Sequence, residues 1–382
     1  MHIAFLTSEY PPHKTGGIGT SIQNLARELV RQGYRVTVLG TGKQKEWVDN
    51  GVKIRFLEQT RMPKMGWFSN RLRIVHKINR MVANEGLDIV EAPDWTGLSA
   101  GMKVKCPLVV RCHGSDTYFG GLLGYHPRWS VYQAEKLALI QADGVAAVSR
   151  FAAVKTQESF NLSGEIQVIP NGINLEYFQP HHCLEEDGLI LYLGTLVRKK
   201  GVLDLAEIFS LLVARYPSAR LVLVGRDSSD RQTGAKSTWE LFQNVASPQA
   251  LQRTKYLGAQ PANEIVGFVQ RATVCVSPSY AEAHPLSWIE AMACEKPVVA
   301  SNIGWASEII EDGVSGTLIH PTDHTAYADA LINLLDNPEK RRNMGQKARE
   351  RVERLFSIQK VAGLSLDWYK DVIAAYVKSR KV

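Results

Sequence analysis

Short apolar runs alternate along the chain with longer stretches of helical periodicity. His2 to Thr7 is an apolar run bounded by polar residues. Gly16-Gly17-Ile18-Gly19 then follows a Pro-Pro turn, and Ile22, Leu25, Ala26, Leu29 and Val30 recur at helical spacing until Gly33 stops the helix. Val36 to Gly40 is the next strand, which completes a βαβ unit, the crossover that parallel strands require. Further strands are predicted at 88–91, 107–110 and 144–149, with another ending at 167–172. The stretch 179–188 is short and polar and reads as a linker. The alternation then restarts with a strand at 189–193, an amphipathic helix over 202–216, and strands at 221–224, 274–276 and 297–300. Two doubly wound α/β domains are expected, 1–180 and 181–365. A last helix within 366–382 is a candidate to pack back on the first domain.

Length agrees with that division, since 382 residues suit two or three domains. No apolar run reaches the roughly 18–20 residues needed to cross a bilayer. The opening Met1-His2-Ile3-Ala4-Phe5 lacks a basic secretory n-region. The five cysteines (106, 112, 183, 275 and 294) form no Cys-x-x-Cys pair. Neither a disulfide framework nor a zinc site is expected, and the default is a reduced, cytoplasmic protein.

Charge changes the picture more. Residues 1–180 carry 21 Lys and Arg against 15 Asp and Glu, whereas 181–382 carry 24 against 23. The basic first half therefore points to an anionic partner: a membrane surface, a phosphorylated lipid or an acidic saccharide, with no nucleic acid expected. The stretch 61–84 is the extreme case. It holds Arg61, Lys64, Arg71, Arg73, Lys77 and Arg80 and no acid, with Met62, Met65, Trp67 and Phe68 beside them and Leu72, Val75, Ile78 and Val82 at helical spacing. One reading is a helix whose apolar stripe packs on the first domain while its cations are solvated. The other is a peripheral contact with an anionic membrane surface.

Ligands of doubly wound sheets bind beyond the carboxyl ends of the strands, so polar or glycine-rich text there carries the candidate chemistry. Gly16 and Gly17, between strand and helix, suit either close approach of a ligand to backbone N–H groups or a plain tight turn. His113, directly after a strand, suits a hydrogen-bond donor or acid–base group, or else a loop histidine with local partners. Arg198-Lys199-Lys200 opens a helix, where three cations oppose the dipole. A bound diphosphate would remove that conflict; a solvated basic turn is the plain alternative. The fourth place runs from Ser277 to Met292. Glu282 lies in its loop, Pro285 suits the first turn of the following helix, and Glu290 sits among Ile289, Met292 and Ala293. An acid in that setting is costly unless bonded, by sugar or ribose hydroxyls or by an internal salt bridge.

Glu282-x7-Glu290, followed by Ala-Met-Ala, a Lys-Pro-Val-Val-Ala strand and Gly304, resembles the signature of retaining glycosyltransferases of family 4. Gly16-Gly17, His113-Gly114, Val148-Ser149, Val168 to Gly172 and Lys200-Gly201 match that family's patterns in the expected order, so the resemblance covers nearly the whole chain. It implies the GT-B fold, two Rossmann-like domains facing across a cleft, with the acceptor on the first and a nucleotide sugar on the second. By the same resemblance Glu290 would hold the ribose hydroxyls, Glu282 would face the transferred sugar, and Arg198 and Lys200 would hold the diphosphate. The helix beginning at Leu286 and Ser287 would offer N–H groups to phosphate, and His113 and the Gly17 backbone would reach the donor from the first domain. Three departures stand out: Thr195 where Arg is common, Ala283-His284-Pro285 where Gly-Phe-Gly is common, and Gly304-Trp305 where Gly-Gly is common. Pro285 has no N–H to give, and His284 would replace or alter that sugar contact.

The implied activity is transfer of a hexosyl group from a UDP, GDP or ADP sugar, UDP being favoured, to a saccharide or lipid-linked saccharide. None of the 15 Asp residues has another two positions away, so no Asp-x-Asp metal motif is present. No metal or other cofactor is expected. A nicotinamide-dependent oxidoreductase is the rival from another class, but neither half has a well-placed G-x-G-x-x-G with an acid about 20 residues on. A nucleotide- or carbohydrate-binding protein without transfer activity is the remaining alternative.

Overall fold

The computed structural model describes residues 1–12, 16–43, 45–59 and 66–380. The chain forms two compact units, one of Met1–Gly172 with Ile358–Val382, the other of Ile173–Ser357.

Unit 1 is built on β1 (His2–Leu6), α1 (Gly17–Arg31), β2 (Arg35–Gly42), β3 (Lys45–Asp49), β4 (Val52–Glu58), α2 (Gly66–Glu85) and β5 (Ile89–Pro93). β6 (Leu108–Cys112), α3 (Asp116–Leu123), α4 (Trp129–Ile140), β7 (Gly144–Ala147), α5 (Arg150–Phe160) and β8 (Gln167–Val168) follow. The sheet order is β3-β4-β2-β1-β5-β6-β7-β8. Every pairing is parallel except β3 with β4. That hairpin turns at Asn50 and Gly51, both at positive φ, the residue pair that a tight two-residue turn demands. β1 and β5 are buried along their whole length because helices cover both faces of the parallel sheet.

Unit 2 carries β9 (Leu189–Leu193), α6 (Val202–Arg215), β10 (Arg220–Val224), α7 (Thr238–Val245), α8 (Pro248–Gln252), β11 (Thr254–Tyr256), α9 (Ile265–Arg271) and β12 (Val274–Ser277). It continues through α10 (Leu286–Ala293), β13 (Val298–Ser301), α11 (Ala306–Ile309), β14 (Thr317–Ile319), α12 (His324–Asp336) and α13 (Pro338–Phe356). Its all-parallel sheet runs β11-β10-β9-β12-β13-β14. Ile190, Leu221 and Val274 on the strands pack with Leu205, Phe209 and Leu212 of α6 in one apolar core.

Two boundaries differ from the sequence reading. The units divide at Gly172–Ile173, not within 179–188. Ile173 is fully buried, its N–H is bonded to Phe356 O, and it bridges Ser357. The 179–188 stretch contains a short 3-10 turn, His182–Leu184, and Glu186 there pairs with Arg220 and Arg271 of unit 2. The last helix, α14 (Ile358–Ser379), begins eight positions before the expected Leu366. Its Ile358, Ala362, Leu366, Tyr369 and Val372 join the unit 1 core with Ile3, Phe5, Leu25 and Val109.

In each sheet the strand order reverses beside the first strand, between β1 and β5 in unit 1 and between β9 and β12 in unit 2. Loops leaving the carboxyl ends there form the crevice in which this architecture binds ligands.

Candidate active site

In unit 2 the loops after β9 and β12 touch. The turn Arg198–Lys200 ends at Gly201, at φ +65°, and a Cβ there would overlap the carbonyl oxygen of Pro278. Glycine is therefore required for α6 to start against the 278 loop. Tyr280 N–H bonds to Lys199 O at 2.8 Å, which fixes the two loops to each other.

That contact brings Lys200 Nζ to 2.9 Å from Glu282 Oε1, and Ser279 Oγ donates to the same carboxylate oxygen at 3.3 Å. The lysine side chain keeps 22% of its surface and the carboxylate only 11%, so the pair is part-exposed on the lysine side and nearly buried on the other. Arg198 behaves differently. Its Nε and Nη2 donate to both oxygens of Asp230, at 2.9 and 2.8 Å, and Thr233 donates to Asp230 through N–H and hydroxyl. The guanidinium holds the Asp230 carboxyl well below the usual carboxylate range. The dipole conflict that the three cations pose at the start of α6 is thus relieved from within, by Asp230 and Glu282, and does not by itself require a bound anion.

α10 begins after Pro285 with no side-chain cap, and Leu286 and Ser287 in its first turn are half-buried. Glu290, one turn on, is half-buried among Trp288, Ile289, Ala291 and Met292. Burial pushes its carboxyl up to about 7, against the opposing pull of the Lys200 charge. Among the described residues, burial and the Lys200 charge are what act on that carboxylate. The structure therefore brings Lys200, Glu282 and Glu290 together and sets Arg198 to one side. His284, expected at a ligand, instead turns into the unit. It is 6% exposed, its ring packs edge-on against Phe356 at 5.1 Å, and burial lowers its pKa to about 4, so it is neutral. Trp305 is fully buried too.

In unit 1, His113 follows β6, half-buried, and lines a small pocket with Ser21, Glu91, Arg111, Pro170 and Gly172. Two polar anchors hold its loop. Its own N–H donates to Asp94 Oδ1 at 2.9 Å. Two residues earlier, Arg111 forms a bidentate pair with Glu91, both bonds 2.9 Å, and also donates to Ser365 Oγ at 3.1 Å. Tyr369 donates to Glu91 Oε2 at 2.7 Å. α1 starts at Gly17 with Gly16 as an uncapped N-terminus. A Cβ on Gly16 would fall on the Glu9 carboxylate, whereas the space beside Gly17 is open.

Sequence reading missed two acids at this level. Asp94 is 1% exposed, its Oδ2 has no hydrogen-bond partner among the described residues, and burial with the nearby Glu135 charge pushes its pKa up to about 7. Asp230 follows β10. Both lie in polar loops at the carboxyl ends of strands, the same sequence signal that marks His113.

Comparison with known proteins completes the assignment. The model described as Glycosyltransferase Family 4 matches residues 15–177, and that of Glycosyl transferases group 1 matches 175–351. Glycogen synthase of Mycobacterium tuberculosis is 25% identical over 97% of this chain and 94% of that protein. The structure of sucrose-phosphate synthase from Thermosynechococcus elongatus superposes with a TM-score of 0.81 at 23% identity, over 98% of this chain and 99% of that one. Anabaena HepE in complex with UDP-glucose gives 0.73 at 18%, over 99% and 100%. With both halves matched in order and two Rossmann-like units in place, the chain belongs to glycosyltransferase family 4 and has the GT-B fold.

Proposed function

We propose that this glycosyltransferase moves a hexosyl group from a UDP-sugar to a saccharide or lipid-linked saccharide, with retention of anomeric configuration and without a metal. The observation that carries the reading is Glu290. A carboxylate half-buried on an apolar helix, shifted by burial and coupled among the described residues to the Lys200 charge, is matched by vicinal ribose hydroxyls. HepE, a structural neighbour, is described in complex with UDP-glucose, which supports the choice of nucleotide.

Each residue then has a task. Glu290 accepts from the ribose. Lys200 leaves Glu282 for the diphosphate and neutralises the charge that grows as the bond to the sugar breaks. The Glu282 carboxylate, released, accepts from hydroxyls of the transferred sugar. N–H groups of Leu286 and Ser287 face phosphate at the start of α10. Arg198 contributes only Nη1, since Asp230 holds its other two nitrogens. His284 gives its ring to packing and has no direct task. Unit 1 supplies His113 for the transferred sugar, the Gly16-Gly17 backbone at the start of α1, and recognition of the acceptor. In retention on one face, the bond from the anomeric carbon to the phosphate oxygen breaks and a bond to the acceptor oxygen forms. The departing phosphate oxygen takes the acceptor's proton.

UDP release from UDP-glucose, with and without EDTA, tests the reading. Turnover unchanged by EDTA and reduced strongly in Lys200→Ala is expected. No UDP release from any hexose donor would reduce the protein to a binding module, and strict dependence on a divalent ion would remove Lys200 from its role.

A further inference from the structure

α2 packs on unit 1 through Asn70, Arg71, Ile74, Ile78 and Met81. Its opposite face is unusual for a surface helix. Trp67, Phe68 and Leu72 in the first two turns keep 53%, 51% and 53% of their surface, although apolar side chains of that size gain by burial. Arg73, His76 and Arg80 are exposed on the turns that follow, Arg73 also donating through Nη1 to Glu58 O at 2.6 Å. Phe68, Leu72, His76 and Arg80 recur every four residues and share one stripe, apolar at its N-terminal end and cationic beyond. From Gly66 to Asn84 there is no acid.

The structure also removes one cation from this face. Arg71 is 9% exposed and donates to Gly97 O at 2.7 Å and Ala100 O at 3.1 Å, with its guanidinium 3.4 Å over the Trp67 ring. It holds the helix to the loop after β5 and supports the indole from beneath. Arg61, Met62, Lys64 and Met65, part of the same expectation from sequence, lie outside the described residues.

We infer that the outer face of α2 docks on an anionic lipid surface, with Trp67, Phe68 and Leu72 entering the interface and Arg73 and Arg80 meeting the headgroups. Single exposed apolar residues are ordinary, but three together followed by acid-free cations complement an anionic bilayer in both polarity and charge. Such a contact is reversible, weakens with salt and requires no spanning helix; no helix among the described residues is long and apolar enough to span.

Co-sedimentation of the full chain with vesicles of phosphatidylcholine alone, or mixed with phosphatidylglycerol, tests this at low and physiological salt. No sugar donor is present, so the outcome is independent of the transfer reaction. Binding only to anionic vesicles, weaker at higher salt, is expected. Arg73→Ser and Arg80→Ser should each lower partitioning about five-fold. Phe68→Ser with Leu72→Ser should lower it further while leaving the salt dependence in place, and Lys340→Ser with Arg342→Ser on α13 should change it little. Thermal melts check that each variant is folded. Equal or negligible binding to both vesicles, binding that survives the α2 substitutions, or retention by heparin without vesicle binding would each overturn the inference.

Discussion

Two charge pairs in this molecule look alike on paper and differ in kind. Arg111–Glu91 in unit 1 is a bidentate pair with both side chains 4% exposed, and Tyr369 and Ser365 satisfy its remaining valences. Lys200–Glu282 in unit 2 is a contact at 2.9 Å in which the lysine side chain keeps 22% of its surface and the carboxylate 11%, with the burial-raised Glu290 coupled to the same lysine. The first pair is a closed structural knot whose polar atoms have partners within the fold. The second is more open on the lysine side, and under the proposed function Lys200 turns from Glu282 to the donor's diphosphate while sugar hydroxyls take its place on the carboxylate. Charge and location alone therefore do not separate a structural cation from a candidate for ligand binding; how fully the cation is enclosed does.

Substitutions should separate the two. The largest effect on stability belongs to Arg111→Ala, which strands the Glu91 carboxylate in the core. A loss of about 3–5 kcal/mol is expected from urea unfolding, and the same change at Lys200 should leave the midpoint nearly unmoved. Turnover should reverse that order: Lys200→Ala should lower kcat by about 100- to 1,000-fold in a UDP-release assay. Arg198→Ala should cost less than Lys200→Ala, because Asp230 already engages it. Equal losses would mean that the Asp230 pair opens during the reaction.

A smaller effect concerns pH. Burial raises the Asp94 carboxyl to about 7, above its unfolded value near 4. The native state therefore binds more protons than the unfolded state between those values. The stability it contributes is complete below about 4 and is lost as pH rises towards 7. Glu290 acts in the same direction over its own window. Asp94→Asn keeps an oxygen acceptor for the His113 N–H and removes the titration, so its urea midpoint should fall less than the wild type's between pH 5 and pH 7. An identical fall in both would show that Asp94 is ionised throughout.

The same contrast explains what could be read before any coordinates. Alternating apolar runs specify parallel strands because such strands are buried on both faces, so the halves and their order are legible. The β3–β4 hairpin also had its signal, Asn50-Gly51, but on an edge where the flanking Lys45, Glu46, Lys53 and Arg55 dilute the apolar pattern. Lys200, Glu282 and Glu290 stand out in the sequence as candidates because each lies in polar or costly text beside a strand end. Their mutual placement was not, because it depends on two loops about 80 residues apart being locked by Gly201 against Pro278. The Asp230 clamp on Arg198 and the inward turn of His284 were invisible for the same reason: a side chain's partner is set by tertiary packing rather than by local pattern.

Under the proposed function Glu290 accepts from the ribose of a nucleotide sugar, and calorimetric titration with UDP-glucose is the sharpest test of that contact. The donor's diphosphate diester does not titrate near neutrality, so pH dependence reports the protein. Binding should be tighter at pH 8 than at pH 6, as Glu290 ionises through about 7. A folded Glu290→Ala should lose about 1.5–3 kcal/mol of affinity together with that pH dependence. Unchanged affinity and an unchanged pH profile in the folded variant would contradict it.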